Sequence, residues 1–158
     1  MRLRLSISAL LGLALLLAAA APAGALIHVQ KGIAGVRIGM TQQQMKDVLG
    51  KPRSAKQGSN DFGPYTQFIY PGRIAVTFQG NRRVTGIYTS GTKERTADGV
   101  GVGSSERLVK RKVEDVVCET IGSAETCHVG NFDPGHRVTV FLFKDDRVKR
   151  VTIGLVLD

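Results

Sequence analysis

The sequence predicts an α+β protein in which short helices pack on antiparallel β-strands, arranged as a tandem repeat. Three observations support this prediction: a short capped helix, three β-rich runs that follow it, and a recurrence of the same pattern later in the chain. The N-terminal segment has instead the composition of an export signal. We therefore predict a signal peptide at 1–25, followed by two helix-plus-meander repeats at 26–93 and 94–158.

The predicted signal peptide combines positive charge, an apolar run and small residues. Arg2 and Arg4 precede an apolar run at 8–21, and the small residues around Ala23 and Ala25 offer two cleavage sites. A spanning helix needs roughly 20 apolar residues, so the run is short for a membrane anchor. We expect cleavage and a secreted, periplasmic or cell-envelope location, with no transmembrane segment afterwards. The alternative is an uncleaved anchor.

The stretch IGMTQQQMKDVLGKP contains the start, the face and the end of one helix. Thr41 is placed to cap it, and Gln44 three residues later completes a capping box. Gly50 and Pro52 then stop the helix. Its apolar residues recur at i, i+3 and i+4: Met45, Val48 and Leu49. A helix this short is not stable alone, so we expect it to pack on a sheet.

Three β-rich runs follow this helix, at 65–70, 73–79 and 83–89. Pro71-Gly72 separates the first two runs, and a short polar turn separates the last two. Connections of this length predict an antiparallel meander. Alternate residues of the middle run form one apolar face for the helix: Ile74, Val76 and Phe78.

The same pattern recurs when the sequence is shifted by 64 residues without a gap. Thr41 then falls on Ser105, and the apolar residues of the middle strand run fall on Val138, Val140 and Leu142. The second copy lacks the Gly-Pro stop, so we expect its helix to continue further. The stripe expected on that longer helix is Val109, Val113, Val116 and Val117.

The two cysteines of the chain, Cys118 and Cys127, predict a structural disulfide because the protein is expected to be exported. We expect this disulfide to fix the exit of the second helix, in place of the missing Gly-Pro stop. A zinc site that adds His128 and His136 is an alternative, but the sequence lacks the close ligand pairs that zinc sites usually show. A nucleophilic cysteine would need a base that the spacing does not indicate.

The charge balance suggests an anionic neighbourhood. The chain has 22 Lys and Arg against 13 Asp and Glu, a formal net charge of +9. This suits anionic envelope polymers or lipid headgroups as partners, although it also fits an ordinary solvated surface. Nucleic acid is not expected, because the chain carries an export signal, has no Trp and shows no aromatic RNA-binding motif.

The phrase GVRIGMTQQQMKDVLGKP, followed by an aromatic strand and a hairpin, resembles the SmpA/OmlA (BamE-type) small outer-membrane assembly lipoproteins. The residues that carry the resemblance are Gly39, Met40, Thr41, Gln44, Met45, Leu49, Gly50 and Pro52. The tandem arrangement with a cysteine pair in the helix-to-strand loop resembles the β-lactamase inhibitor protein family. These resemblances imply a helical segment on an antiparallel sheet in each copy, and partner binding through the sheet face.

No cluster of residues predicts catalysis, a metal site or a cofactor. His28 lies near the expected cleavage site, His136 lies beside a glycine turn, and Asp145-Asp146 is at a hairpin tip. The glycine-rich segment at 99–105 lacks the lysine and the spacing of a phosphate-binding loop. We therefore predict that the protein is not an enzyme.

Aromatic residues of the second copy are the expected binding anchors. If Val140 and Leu142 face the helix, alternation directs Phe141 and Phe143 to the other face of the sheet. Either the other copy or the segment 26–36 covers these rings, or they form a protein-docking surface. The predicted partner-binding residues are Phe141, Phe143, Phe62 and Tyr65.

The function that the sequence favours is an exported, non-enzymatic protein-binding module of the cell envelope or extracellular space. Two alternatives remain open: a structural envelope protein associated with anionic polymers, and a secreted enzyme inhibitor. The sequence does not identify the protein partner.

Overall fold

A large antiparallel sheet with two short helices on one side gives the chain an α+β fold, as predicted. The computed structural model describes residues 26–80 and 82–158, so the predicted signal peptide at 1–25 lies outside the described residues. The helices are α1 (Gln42–Leu49) and α2 (Glu106–Lys112).

Two sheets contain all the named strands. The small sheet consists of β1 (Ile27–His28), β2 (Gly32–Ile33) and β3 (Val36–Arg37). The large sheet consists of β4 (Ser54–Asn60), β5 (Gly63–Tyr70), β6 (Ile74–Gln79), β7 (Gly86–Thr89), β8 (Val117–Ile121), β9 (Ala124–Val129), β10 (Arg137–Lys144) and β11 (Arg147–Leu155). Its order is β4-β5-β6-β7-β11-β10-β9-β8, so the two halves of the chain meet where β7 pairs with β11.

Helix α1 agrees with the sequence prediction. The Thr41 hydroxyl accepts a hydrogen bond from the Gln44 backbone N–H at 3.2 Å, and the Gln44 side chain accepts one from the Thr41 N–H at 2.9 Å. Met45 is completely buried. Gly50 ends the helix with a φ of 76°, a left-handed value that favours glycine.

Helix α2 begins as predicted but ends earlier. Ser105 caps it by accepting a hydrogen bond from the Leu108 N–H. The helix ends at Lys112 and Val117 already belongs to β8, so the predicted continuation through Val116 and Val117 is wrong. The β-branched valines of this stretch favour extended backbone. In the part of the chain that the structure describes, no helix is long and apolar enough to cross a membrane.

The predicted meander corresponds to β5, β6 and β7, which pair in order. Strand β4 was not predicted. Its sequence, SAKQGSN, is polar and almost entirely exposed, so it lacks the alternation that marks a half-buried strand. It pairs along its whole length with β5, and each half of the chain therefore contributes four strands to the large sheet.

Equivalent hydrogen bonds occur in the two halves at a separation of 64 residues. The Gly39 N–H donates to the Val84 carbonyl, and the Gly103 N–H donates to the Val148 carbonyl, both at 2.8 Å. Each bond joins the segment that precedes a helix to the chain at or just before the last strand of that half. The entry to the helix is therefore built in the same way twice.

The correspondence between the halves shifts by one residue in β10. Val76 lies opposite Ile87 in the first half, whereas Phe141 lies opposite Val151 in the second. Ile87 and Val151 are 64 residues apart, but Val76 and Phe141 are 65 apart. A register irregularity in β10, near its hairpin with β11, accommodates the extra residue. Because strand side chains alternate, this shift exchanges the two faces of β10.

The predicted orientation of β10 is consequently wrong. Phe141 and Phe143 are 0% and 6% exposed and belong to the core, whereas Leu142 is half-buried on the other face. Thr139 shares the core side, and its hydroxyl accepts a hydrogen bond from the Gln30 backbone N–H at 2.6 Å. The N-terminal segment therefore packs on this side, which agrees with the alternative that the rings are covered.

Candidate functional site

The two faces of the large sheet differ in what covers them. Both helices and the small sheet contribute buried side chains to the core on one face, among them Met45, Val109, Ile33, Phe78 and Phe141. No other helix or strand of the described residues remains to cover the opposite face, which we call the open face. The pairing register assigns to it the half-buried residues Tyr65, Gln67, Ile69, Thr77, Tyr88, Val140, Leu142 and Thr152.

The structure separates the four predicted partner-binding residues. Phe141 and Phe143 are in the core and are not accessible to a partner. Tyr65 lies on the open face, and its ring occupies the space beside Gly58 on the neighbouring strand. Phe62 is 51% exposed at the turn between β4 and β5. Phe62 and Tyr65 therefore stay predictions for a binding surface.

A groove of about 440 Å³ lies at the end of the open face that is remote from the Phe62 turn. Pairing aligns one residue from each of four adjacent strands as its floor: Ser54, Ile69, Ala75 and Tyr88. The short side chains of Ser54 and Ala75 leave a depression between the larger Ile69 and Tyr88.

Three basic residues line this groove: Arg53, Lys56 and Arg73. The sequence analysis recorded the basic excess of the chain but did not assign these residues to a site. Arg53 and Arg73 come together only because β4 pairs with β5, and β4 carries no local strand signal. Recognition of β4 as a strand would have placed Lys56 on the open face beside Gln67.

Two features that suggested chemistry in the sequence have structural explanations. The His128 Nδ1 atom is 3.3 Å from a Glu119 carboxylate oxygen, and its ring packs on Phe132 with the centroids 4.9 Å apart. Cys118 and Cys127 form a disulfide, as predicted. Neither sulfur is then available as a nucleophile or as a thiolate ligand for zinc.

Tyr70 has a perturbed hydroxyl, and this residue also has a structural role. Burial raises the pKa of the Tyr70 hydroxyl above its ordinary value. The hydroxyl donates to the Met45 Sδ atom at 2.9 Å and to the Gly50 carbonyl at 3.2 Å. Tyr70 therefore connects the end of α1 to β5.

Comparisons with known proteins support the fold. No protein-family model and no curated protein sequence matches the chain. Among solved structures, the chain is similar to an extracellular protein containing a SCP domain from Bacillus anthracis, with a TM-score of 0.51 and 15% identity over 74% of this chain and 43% of that protein. The chain thus spans less than half the length of that protein, and the likeness shows the fold alone.

Two further structures are similar at lower TM-scores. A DUF4309 family protein from Bacillus subtilis has a TM-score of 0.49 and 15% identity, over 84% of this chain and 88% of that one. A "putative beta-lactamase inhibitor protein" from Streptococcus mutans has a TM-score of 0.33 and 14% identity, over 80% and 88% of the two chains. We base no inference on these two scores. The SmpA/OmlA resemblance stays a prediction.

Proposed function

We propose that this protein is an exported, non-enzymatic binding module that docks a protein partner through the open face of its sheet. The observation that carries the proposal is the unequal covering of the two sheet faces. The core side is covered by both helices and the small sheet. The open face carries half-buried aromatic and aliphatic side chains, including Tyr65, Tyr88 and Leu142, and aromatic residues are enriched in protein interfaces.

Two features support an exported location, secreted or in the cell envelope. The segment 1–25 has the charge and apolar run of a signal peptide. The disulfide between Cys118 and Cys127 suits an oxidising compartment, because cytosolic thiols are kept reduced.

We further propose that the fold arose by duplication of one helix-and-sheet unit, with units at 26–93 and 94–158. The hydrogen bonds that recur at a separation of 64 residues support this, as does the equal division of the large sheet into four strands from each half. Joining two units through β7 and β11 doubles the width of the open face. A wider face offers a partner more area than one unit could provide.

A second candidate function is a structural envelope protein associated with anionic polymers or lipid headgroups, and the formal net charge of +9 favours it. A secreted enzyme inhibitor would be a particular case of the main proposal, in which the partner is an enzyme.

The proposal is tested by comparing what three forms of the immobilised protein capture from envelope and culture-fluid fractions. The forms are the unmodified protein, an open-face variant with Tyr65→Ala and Leu142→Ala, and a control variant with Val48→Ala and Arg107→Ala. Val48 and Arg107 are exposed on α1 and α2. Quantitative mass spectrometry should show a protein that the unmodified and control forms retain and the open-face variant loses.

Thermal melting of all three forms ensures that lost capture does not reflect unfolding. Equal capture by the open-face variant and the control would contradict docking through the open face.

A further inference from the structure

The groove on the open face gathers positive charge from parts of the chain that are distant in sequence. Arg53 lies just before β4, Lys56 lies within it, and Arg73 ends the connection from β5 to β6. Arg150 of β11 adds a charge beside the groove, because its guanidinium carbon is 5.5 Å from the centroid of the Tyr88 ring. No acidic side chain lines the groove.

Backbone hydrogen bonds hold two of these arginines in place. The Arg53 N–H donates to the Ile69 carbonyl at 2.9 Å, and the Ser90 N–H donates to the Arg73 carbonyl at 3.1 Å. Arg73 has a φ of 64°, in the left-handed region that residues other than glycine seldom adopt. Its side chain is thus held at the groove by a conformation that arginine itself does not favour.

The groove cations have no counter-charge within the chain. The ion pairs among residues 26–80 and 82–158 join Lys110 to Glu106 and His128 to Glu119, and none of these four residues lines the groove. A concave surface with unpaired charge of one sign concentrates ligands of the opposite sign. The expected ligand is therefore anionic.

The other groove residues distinguish between anionic ligands. Phosphate sites typically present backbone N–H groups from a helix N-terminus or a glycine-rich nest, whereas strand residues line this groove. Arginine binds carboxylates through paired hydrogen bonds. Ile69 and Ala75 add an apolar floor, and Tyr88 adds the kind of aromatic residue that, with arginine, is enriched in binding hot spots. This combination fits carboxylates that are flanked by an apolar side chain.

We propose that the groove binds an acidic segment of a protein partner. Carboxylates of that segment pair with Arg53 and Arg73, and a neighbouring apolar side chain contacts Ile69. The inference rests on the proposed function, because it assigns a chemistry to the partner that meets one end of the open face.

The test uses the synthetic peptide acetyl-Glu-Glu-Leu-Glu-Glu-amide, titrated into the purified protein at low ionic strength and followed by NMR chemical shifts. A groove variant with Arg53→Gln and Arg73→Gln should bind it at least about tenfold more weakly. A matched variant with Arg37→Gln and Arg107→Gln loses the same charge from exposed positions on β3 and α2. This control should bind like the unmodified protein.

A second control is the peptide with Gln in place of every Glu, which should also bind at least about tenfold more weakly. Equal weakening in the groove variant and the matched variant would overturn the proposal, because net charge alone would then account for binding. Tighter binding of inorganic polyphosphate than of the peptide, lost in the groove variant, would replace the acidic segment with an anionic polymer.

The same variants separate failure of this proposal from failure of the proposed function. If the peptide does not bind while the Tyr65→Ala, Leu142→Ala variant still loses its captured protein, the groove proposal is overturned and docking through the open face stands. If the peptide binds at the groove while capture is insensitive to the open-face substitutions, the proposed function is overturned and the groove remains an acidic-segment site.

Discussion

The two halves of the molecule start their helices alike and secure them differently. Thr41 and Ser105 occupy the same cap position in α1 and α2, each accepting a hydrogen bond from a backbone N–H in the first turn. At the exit of α1, the Tyr70 hydroxyl donates to the Gly50 carbonyl. Val129 takes the place of Tyr70 in the second half, judged by its position opposite β10, and it has no hydroxyl to donate.

The disulfide secures the second half at the other end of its helix. Cys118 lies directly opposite Cys127 on β8 and β9, at the positions that Ala55 and Phe68 occupy on β4 and β5. Both sulfur atoms are within 4.8 Å of a carboxylate oxygen of Glu106, in the first turn of α2. The expectation that the disulfide fixes the exit of the helix is therefore wrong. The comparison teaches that equivalent layers can be held by non-equivalent contacts.

The largest expected effect tests the shifted register of β10. Phe141→Ala should lower the free energy of unfolding by about 3–5 kcal/mol, because it opens a cavity in the core. Leu142→Ala, on the open face, should cost less than about half as much. Urea unfolding of both variants measures the difference. The first half supplies the reference, where Phe78→Ala should resemble Phe141→Ala and Thr77→Ala should be close to neutral.

Similar losses from Phe141→Ala and Leu142→Ala would mean that the core side of β10 has been assigned incorrectly. The ungapped correspondence between the halves would then be restored.

The next effect concerns the disulfide. The double substitution Cys118→Ala, Cys127→Ala should lower the free energy of unfolding by about 2–3 kcal/mol, because the cross-link restricts the unfolded chain. The measurement is thermal or urea unfolding with and without a reducing agent. Reductant should destabilise the unmodified protein and leave the double variant unchanged. A reductant effect on both proteins would show that some other process is responsible.

A smaller effect tests the corresponding contact in the first half. Tyr70→Phe removes the hydroxyl that donates to Gly50 and Met45, and should cost about 1 kcal/mol. Burial raises the pKa of this hydroxyl above 10.0 in the folded state. The stabilisation is therefore fully present below about pH 10 and is lost as pH rises through the folded pKa.

Unfolding measured from neutral to strongly alkaline pH checks this sign. The unmodified protein should lose its advantage over Tyr70→Phe at high pH, and a difference that grows with pH would contradict the assignment.

Much of α1 could be predicted because its signals are local. Thr41, Gln44, Met45 and Gly50 determine the cap, the buried face and the stop within ten positions of one another. The cysteine pairing was equally accessible, since an exported chain with two cysteines has one intramolecular choice. These predictions did not depend on tertiary context.

The remaining features depend on contacts between strands. The polar strand β4 is stabilised by pairing with β5, which no periodicity in its sequence reveals. The extra residue before β10 changes no local propensity, yet it decides whether Phe141 or Leu142 faces the core. The groove follows from the same pairing, because Arg53 and Arg73 are brought together by β4 and β5. Sequence reasoning therefore identified the elements and missed the site.

The smallest expected effect compares the chain just before β6 with the start of β10. Arg73 precedes β6 with a left-handed φ of 64°, whereas Arg137, the first residue of β10, is not among the described residues with positive φ. Arg73→Gly should raise the free energy of unfolding by about 0.5 kcal/mol, because glycine adopts this conformation without steric cost, and Arg137→Gly should lower it by about 0.5–1 kcal/mol. Paired urea unfolding curves measure the two signs, and destabilisation by both substitutions would remove the argument that Arg73 is strained. Opposite signs would show that the chain keeps an arginine where glycine would be more stable, as expected of a side chain retained for binding at the groove.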